Sequence, residues 1–212
     1  MSSSISKHRI HAVSTLLALL KEMAVCTEEA HKSKSRSVGL VVSVGPLLGV
    51  LIPRMLDSES SVRSLAIDGL NAVVDLLPDL ADKAQNDGAD DGSEKQSPLR
   101  VDAQCRRVIM SDSLNERFIA IRDICTAHLE WHEKFVEYVH KGTHVQAEGS
   151  LNATITELAA RLISSLTDSD LHARCGAADA LALVRNFASY ILICENVLTI
   201  LNSYIYHTRY FD

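Results

Sequence analysis

Aromatic residues are scarce in this chain, and so are the residues that punctuate turns. Of 212 residues only 5% are Phe, Trp or Tyr, with nine glycines and four prolines. Barrels and sandwiches built on many tight turns use more of them, so an all-β architecture is disfavoured. No uninterrupted apolar run reaches the ~20 residues that a membrane-spanning helix needs. Val38 to Ile52 is nearly all apolar but too short, and it contains Pro46; Tyr190 to Leu201 is interrupted by Glu195 and Asn196. Both read as buried helices, which leaves no transmembrane segment, though a peripheral membrane association remains open. The five cysteines, Cys26, Cys105, Cys125, Cys175 and Cys194, are odd in number and include no CxxC pair. That usage fits reduced thiols in a cytoplasmic protein. No secretory apolar core follows Met1-Ser2-Ser3-Ser4, so the sequon Asn152-Ala153-Thr154 reads as accidental.

Signatures of chemistry are missing as well. The chain has no phosphate loop, no GxSxG elbow and no GxGxxG fingerprint. His128 and His132 are four apart, as are His140 and His144, a spacing that can offer two imidazoles to zinc. Yet HLEWH is not the HExxH of metalloproteases, and Gly142 divides the second pair. Asp87, Asp91 and Gly92 echo a calcium loop, but Ala89 and Pro98 stand where ligands are required. Cys125 and His128 share a helical face and read as core. No metal, cofactor or catalytic residue is expected. Lys and Arg total 21 against 27 acidic residues, for a net charge of −6, and form no basic stripe. Nucleic acid is therefore not an expected partner.

What is present is helical periodicity. Apolar residues make up 47% of the chain and are mostly Leu, Ile, Val and Ala. Ile10, Val13, Leu16, Leu17, Leu20 and Ala24 form one stripe of a helix at about 7–30. Further helices are predicted at about 38–56, with a bend or break at Gly45-Pro46, and at 61–77, 99–110, 114–139, 151–166, 171–187 and 188–206. Ser113-x-x-Glu116 has the form of a capping box. Trp131, Phe135 and Tyr138 cluster at helical spacing and read as core. Residues 84–97, AQNDGADDGSEKQS, contain nothing apolar larger than alanine and are predicted to be a disordered acidic loop.

The main signal is an internal repeat. At a shift of 111 residues, Leu51, Ile52, Asp57, Ser58, Arg63, Ala66, Asp68 and Leu70 match Leu162, Ile163, Asp168, Ser169, Arg174, Ala177, Asp179 and Leu181. A degraded third copy lies between them. Arg117, Ala120 and Ile124 match at a shift of 54, and Ser111 replaces the aspartate. The spacings exceed the usual 40–47 residues of HEAT units. Aspartate and serine at the turn can cap the following helix. The arginine six residues on can bridge to an aspartate of its own or a neighbouring unit. The small alanines allow close helix approach, and the leucines four residues on share their face.

This pattern, leucines followed by D-S-x-x-x-x-R-x-x-A-x-x-x-L, resembles the second-helix signature of HEAT repeats. Gly45 to Val74 is most similar to the maestro HEAT-like repeat family. The resemblance covers Gly45 to Leu77 best, then Leu151 to Asn186, and little else. It implies an all-α fold, an α-solenoid of antiparallel helix pairs of HEAT/armadillo type, forming a single domain over residues 1–212. The chain would be a slice of a longer array, each unit touching only its neighbours, with an exposed apolar surface on the last helix. It also implies a non-enzymatic intracellular scaffold that binds a protein partner, in membrane traffic or at organelle surfaces. Alternatives are a segment of a transport-receptor or phosphatase-scaffold type of adaptor and, behind it, an all-α enzyme. Asp57, Arg63, Ala66, Leu70, Arg117, Asp168, Arg174, Ala177 and Leu181 are expected to be structural repeat positions.

Overall fold

A computed structural model describes residues 4–32, 44–77, 99–142 and 147–190. These form seven helices and, among the described residues, no strand: α1 (Ser4–Lys32), α2 (Val44–Arg54), α3 (Ser60–Asp75), α4 (Ala103–Met110), α5 (Leu114–Gly142), α6 (Ala147–Ser165) and α7 (Leu171–Tyr190). The acidic stretch 84–97, with its calcium-like residues, and the segment 191–206 lie outside the described residues.

The helix ends follow from local chemistry. The helix expected from residue 99 begins four residues later, at Ala103. Asp102 supplies its cap, accepting from Cys105 N–H at 2.7 Å. Before it, Val101 is tied to Asn71 of α3, donating N–H to Asn71 Oδ1 at 2.9 Å. Leu99 and Val101 are buried there, so this segment is held in place by packing and not by helix bonds. At the start of α5, Glu116 N–H donates to Ser113 Oγ at 3.4 Å, one half of the expected capping box. α2 begins at Val44, with Gly45 and Pro46 in its first turn; residues 38–43 of the helix expected at 38–56 lie outside the described residues, and with them the bend or break expected at Gly45-Pro46. α7 runs on through Ala188 to Tyr190, so the boundary expected at 187–188 is absent.

α2 is apolar on all sides, and seven of its residues are buried: Val44, Gly45, Leu48, Gly49, Leu51, Ile52 and Pro53. A helix with no polar face belongs inside a protein. It packs most extensively along α6 and also against α7 and α3. α1 lies on α3; α4 joins α3 to α5; α5 lies on α6 and α7. One continuous core results, from Val13, Leu17 and Leu20 of α1 to Ala180, Leu181 and Val184 of α7.

The contact of α2 with α6 and α7 corrects one expectation. The first and third repeat units, α2–α3 and α6–α7, pack directly on each other and not only through the middle unit. The backbones come close because Gly45 and Gly49 lie on one face of α2. A Cβ at Gly49 would fall 2.5 Å from Arg161 Cβ and 3.1 Å from the Leu158 carbonyl, and one at Gly45 would collide with the Thr154 carbonyl. Glycine is used here for space.

Candidate functional site

The repeated residues build the same turn twice. α2 and α3 are joined by Met55 to Glu59, and α6 and α7 by Leu166 to Asp170. In each turn the aspartate carboxylate accepts the backbone N–H two residues on: Glu59 N to Asp57 Oδ1 and Asp170 N to Asp168 Oδ1, both 2.9 Å. In each, the repeat arginine donates Nη1 to the backbone carbonyl of that aspartate, Arg63 to Asp57 at 2.9 Å and Arg174 to Asp168 at 2.6 Å. The turn is closed from both sides by its own side chains. Ala66, Ala177 and Leu70 are fully buried and Leu181 is nearly so.

Two expectations are corrected by this geometry. The repeat arginines do not bridge to repeat aspartates; each uses carbonyl oxygens. Arg63 also donates to Ser58 O, Ile109 O and Met110 O, so it fastens the C-terminus of α4 to α3. The repeat aspartates do not cap the second helices either: each accepts one N–H within its turn and otherwise faces arginines, and the residue at the N-cap of α3 is Glu59, which makes no side-chain cap bond. The cap of α7 is Asp170, which accepts Ala173 N–H at 3.0 Å.

The carboxylates pair with arginines from outside the pattern. Asp57, with no exposed side-chain surface, accepts Arg9 Nε at 2.9 Å, Arg9 Nη2 at 3.0 Å and Arg54 Nη1 at 3.1 Å. Arg54 also reaches Asp168 through both terminal nitrogens, its Nη1 at 3.0 Å. Arg9 reaches Asp170 at 3.4 Å, and Ser58 gives Asp170 both its N–H and its hydroxyl. Two arginines and three aspartates thus lock α1, the first turn and the third turn together. Burial alone would raise the Asp170 pKa; the Ser58 and Ala173 hydrogen bonds and Arg9 outweigh it and lower it.

The matched acids Asp68 and Asp179 have a common use. Asp68 pairs with Arg106 at 2.6 Å and Asp179 with Arg122 at 3.4 Å, so both tie a second repeat helix to the middle unit. No family model, curated protein or solved structure matches this chain.

The middle unit is different. Arg117 is 5% exposed, and its Nε and Nη1 have no partner; Ser111 Oγ is likewise buried and unpartnered. Further along the same face of α5 lie Ile121, Cys125, His128, Leu129 and His132, all buried. Both ring nitrogens of His128 and Nε2 of His132 lack partners. Burial pushes both imidazoles down to about 4, and His132 adds to the shift of His128. Burial likewise pushes the Cys125 thiol up to about 12, which suits a core residue and not a nucleophile. Among the described residues no group of three or more His, Cys, Asp or Glu is placed to hold a metal ion. His144 and the side chains of His140, Phe135 and Tyr138 lie outside the described residues. No helix among the described residues is long and apolar enough to cross a membrane.

Arg9, Arg54, Asp170 and the Gly45/Gly49 face lie outside the repeat pattern of the sequence. The glycine spacing of four was a usable signal for close helix contact. Nothing local marked Arg9, which meets its partner 48 residues away.

Proposed function

We propose that this chain is part of a HEAT-like helical-repeat scaffold, cytoplasmic and non-enzymatic, that binds a protein partner by shape and surface. The observation that carries the reading is the duplicated turn. Asp57/Arg63 and Asp168/Arg174, 111 residues apart, make the same pair of hydrogen bonds at the same places. A unit repeated in sequence and in bonding is what helical-repeat arrays are made of, and such arrays act through extended surfaces. The chemistry of the polar residues agrees. The clustered carboxylates are spent on arginines and backbone N–H groups, and the buried thiol and imidazoles are held neutral. Membrane traffic or an organelle surface is the setting that the family resemblance suggests.

The test is proximity labelling in cells together with affinity pull-down, using the chain with and without residues 84–97. A reproducible protein partner in at least one arm is expected, and its binding should survive Cys125→Ser. If neither arm enriches a protein, the scaffold reading fails.

A further inference from the structure

α1 carries two apolar faces, and only one of them enters the core. Val13, Leu17 and Leu20 are buried, and among the described elements α1 packs extensively on α3 alone. Roughly a third of a turn round the helix lies a second stripe, Ile5, Ala12, Leu16, Leu19, Met23 and Cys26. Ile5 and Leu19 are 52% and 58% exposed, Ala12 and Cys26 are exposed, and Leu16 and Met23 are half-buried. Single apolar side chains on a surface need no explanation, but a row of them along one helix does. With Arg9 included, the steps along the stripe alternate between four and three residues. That is the period of 3.5 that lets one helix lie along another over its whole length.

The order of sizes and charges within the stripe says what it fits. Laid antiparallel on itself, the stripe sets Ile5 against Met23, Ala12 against Leu16, and Leu19 against Arg9, whose guanidinium is already tied to Asp57. The smallest residue then meets a large one. Beside the stripe, His8 of one chain faces Glu22 of the other, so an imidazole N–H meets a carboxylate. A parallel pair would set Ala12 against Ala12, which leaves a gap, and would bring two Arg9 cations to the same level. Size and charge complementarity both select the antiparallel self-pairing.

We propose that α1 is a dimerisation element, whose outer stripe docks antiparallel on the same stripe of a second copy of this chain, about a two-fold axis at the level of Ser14. The contact uses the same patch on both chains, so it closes at two. It covers about three heptads, which is small for an interface, and association in roughly the micromolar range follows. The dimer does not depend on whether the repeat surface binds a further protein.

Sedimentation velocity of the full chain from about 1 to about 100 μM should show a reversible monomer–dimer equilibrium. Leu19→Glu, at an exposed position, should give a monomer over the same range with an unchanged circular dichroism spectrum. Ile119→Glu, at an equally exposed position on α5, should leave the dimer intact. Orientation is read from charge. His8→Glu sets a carboxylate against Glu22 of the second copy and should raise Kd roughly three- to tenfold, and adding Glu22→Lys should restore it. Within one chain the two residues stand about 21 Å apart along α1, so they compensate each other only across the dimer. A chain that stays monomeric throughout, a dimer that survives Leu19→Glu or is lost with Ile119→Glu, or a dimer indifferent to His8→Glu overturns the proposal.

Discussion

At the residue scale, the consequences of burial differ sharply between charges of the same type. Asp57 holds two arginines in a site from which water is excluded. Replacing it by alanine leaves Arg9 and Arg54 partly buried without their main acceptor. Removing one partner of a buried ion pair costs about 3–5 kcal/mol, and urea unfolding of Asp57→Ala should show a loss in that range. The same comparison separates the two repeat arginines. Arg63 serves four carbonyls on two elements and Arg174 serves one. Arg63→Met should therefore destabilise by about 2 kcal/mol or more beyond Arg174→Met, at roughly 1 kcal/mol per net hydrogen bond lost. The histidines set the pH dependence. Unfolded, His128 and His132 titrate near 6.5; folded, near 4. A depressed folded pKa means that the unfolded chain takes up protons first as pH falls. Stability should be full above pH 6.5 and decline towards about 4, by up to about 1.4 kcal/mol per pH unit for each imidazole. Urea unfolding at a series of pH values, repeated on His128→Leu with about half the slope, checks this. Asp170, whose pKa is lowered, loses its contribution only below the ordinary carboxylate range.

At the element scale, α2 is the helix whose composition and position agree most closely. Its apolar circumference suits a central place, and its glycines set the distance to α6. Gly49→Ala would gain about 1 kcal/mol of helix propensity. A methyl group there meets Arg161 Cβ and the Leu158 carbonyl, and the backbone of α6 has little freedom to withdraw. Overpacking of this kind costs about 1–3 kcal/mol, so the net effect should be destabilising, and Gly45→Ala, which faces a carbonyl, should be worse. Guanidinium melts of the two variants against Gly69→Ala provide the comparison. Gly69 faces only the Leu51 side chain, which can move, so that substitution should be the mildest of the three.

At the scale of the whole molecule, direct packing of the first unit on the third changes how unfolding should proceed. In a linear array each unit can fray from its end, because it depends only on its neighbours. Here α2 is shared between α3, α6 and α7, and the Arg9–Asp57–Asp170 and Arg54–Asp168 pairs cross the same junction. Ile52, fully buried, lies in that shared helix. Ile52→Ala should cost about 2–5 kcal/mol, and native-state hydrogen exchange should show protection falling in α6 and α7 together with α2. Loss confined to α2 and α3 would indicate independent units.

The sequence by itself determined the helices, the duplicated turn and the buried stripes. These rest on local information: 3.6-residue periodicity over 7–30 and 61–77, and a spacing of six between Asp57 and Arg63 and again between Asp168 and Arg174. Three things were decided only by the tertiary structure. The start of α4 depends on Asn71 holding Val101, a contact between residues 30 apart in the chain. The partners of the turn aspartates are Arg9 and Arg54, because helix packing carries α1 and the third turn to one place; no spacing along the chain encodes that meeting. In the middle unit Arg117 buries its Nε and Nη1 without a partner, while the carbonyls at the end of α4 accept from Arg63 of another helix. The physical reason is common to all three: a hydrogen bond goes to whichever acceptor folding brings near, and helix periodicity specifies which face is buried but not what is buried against it.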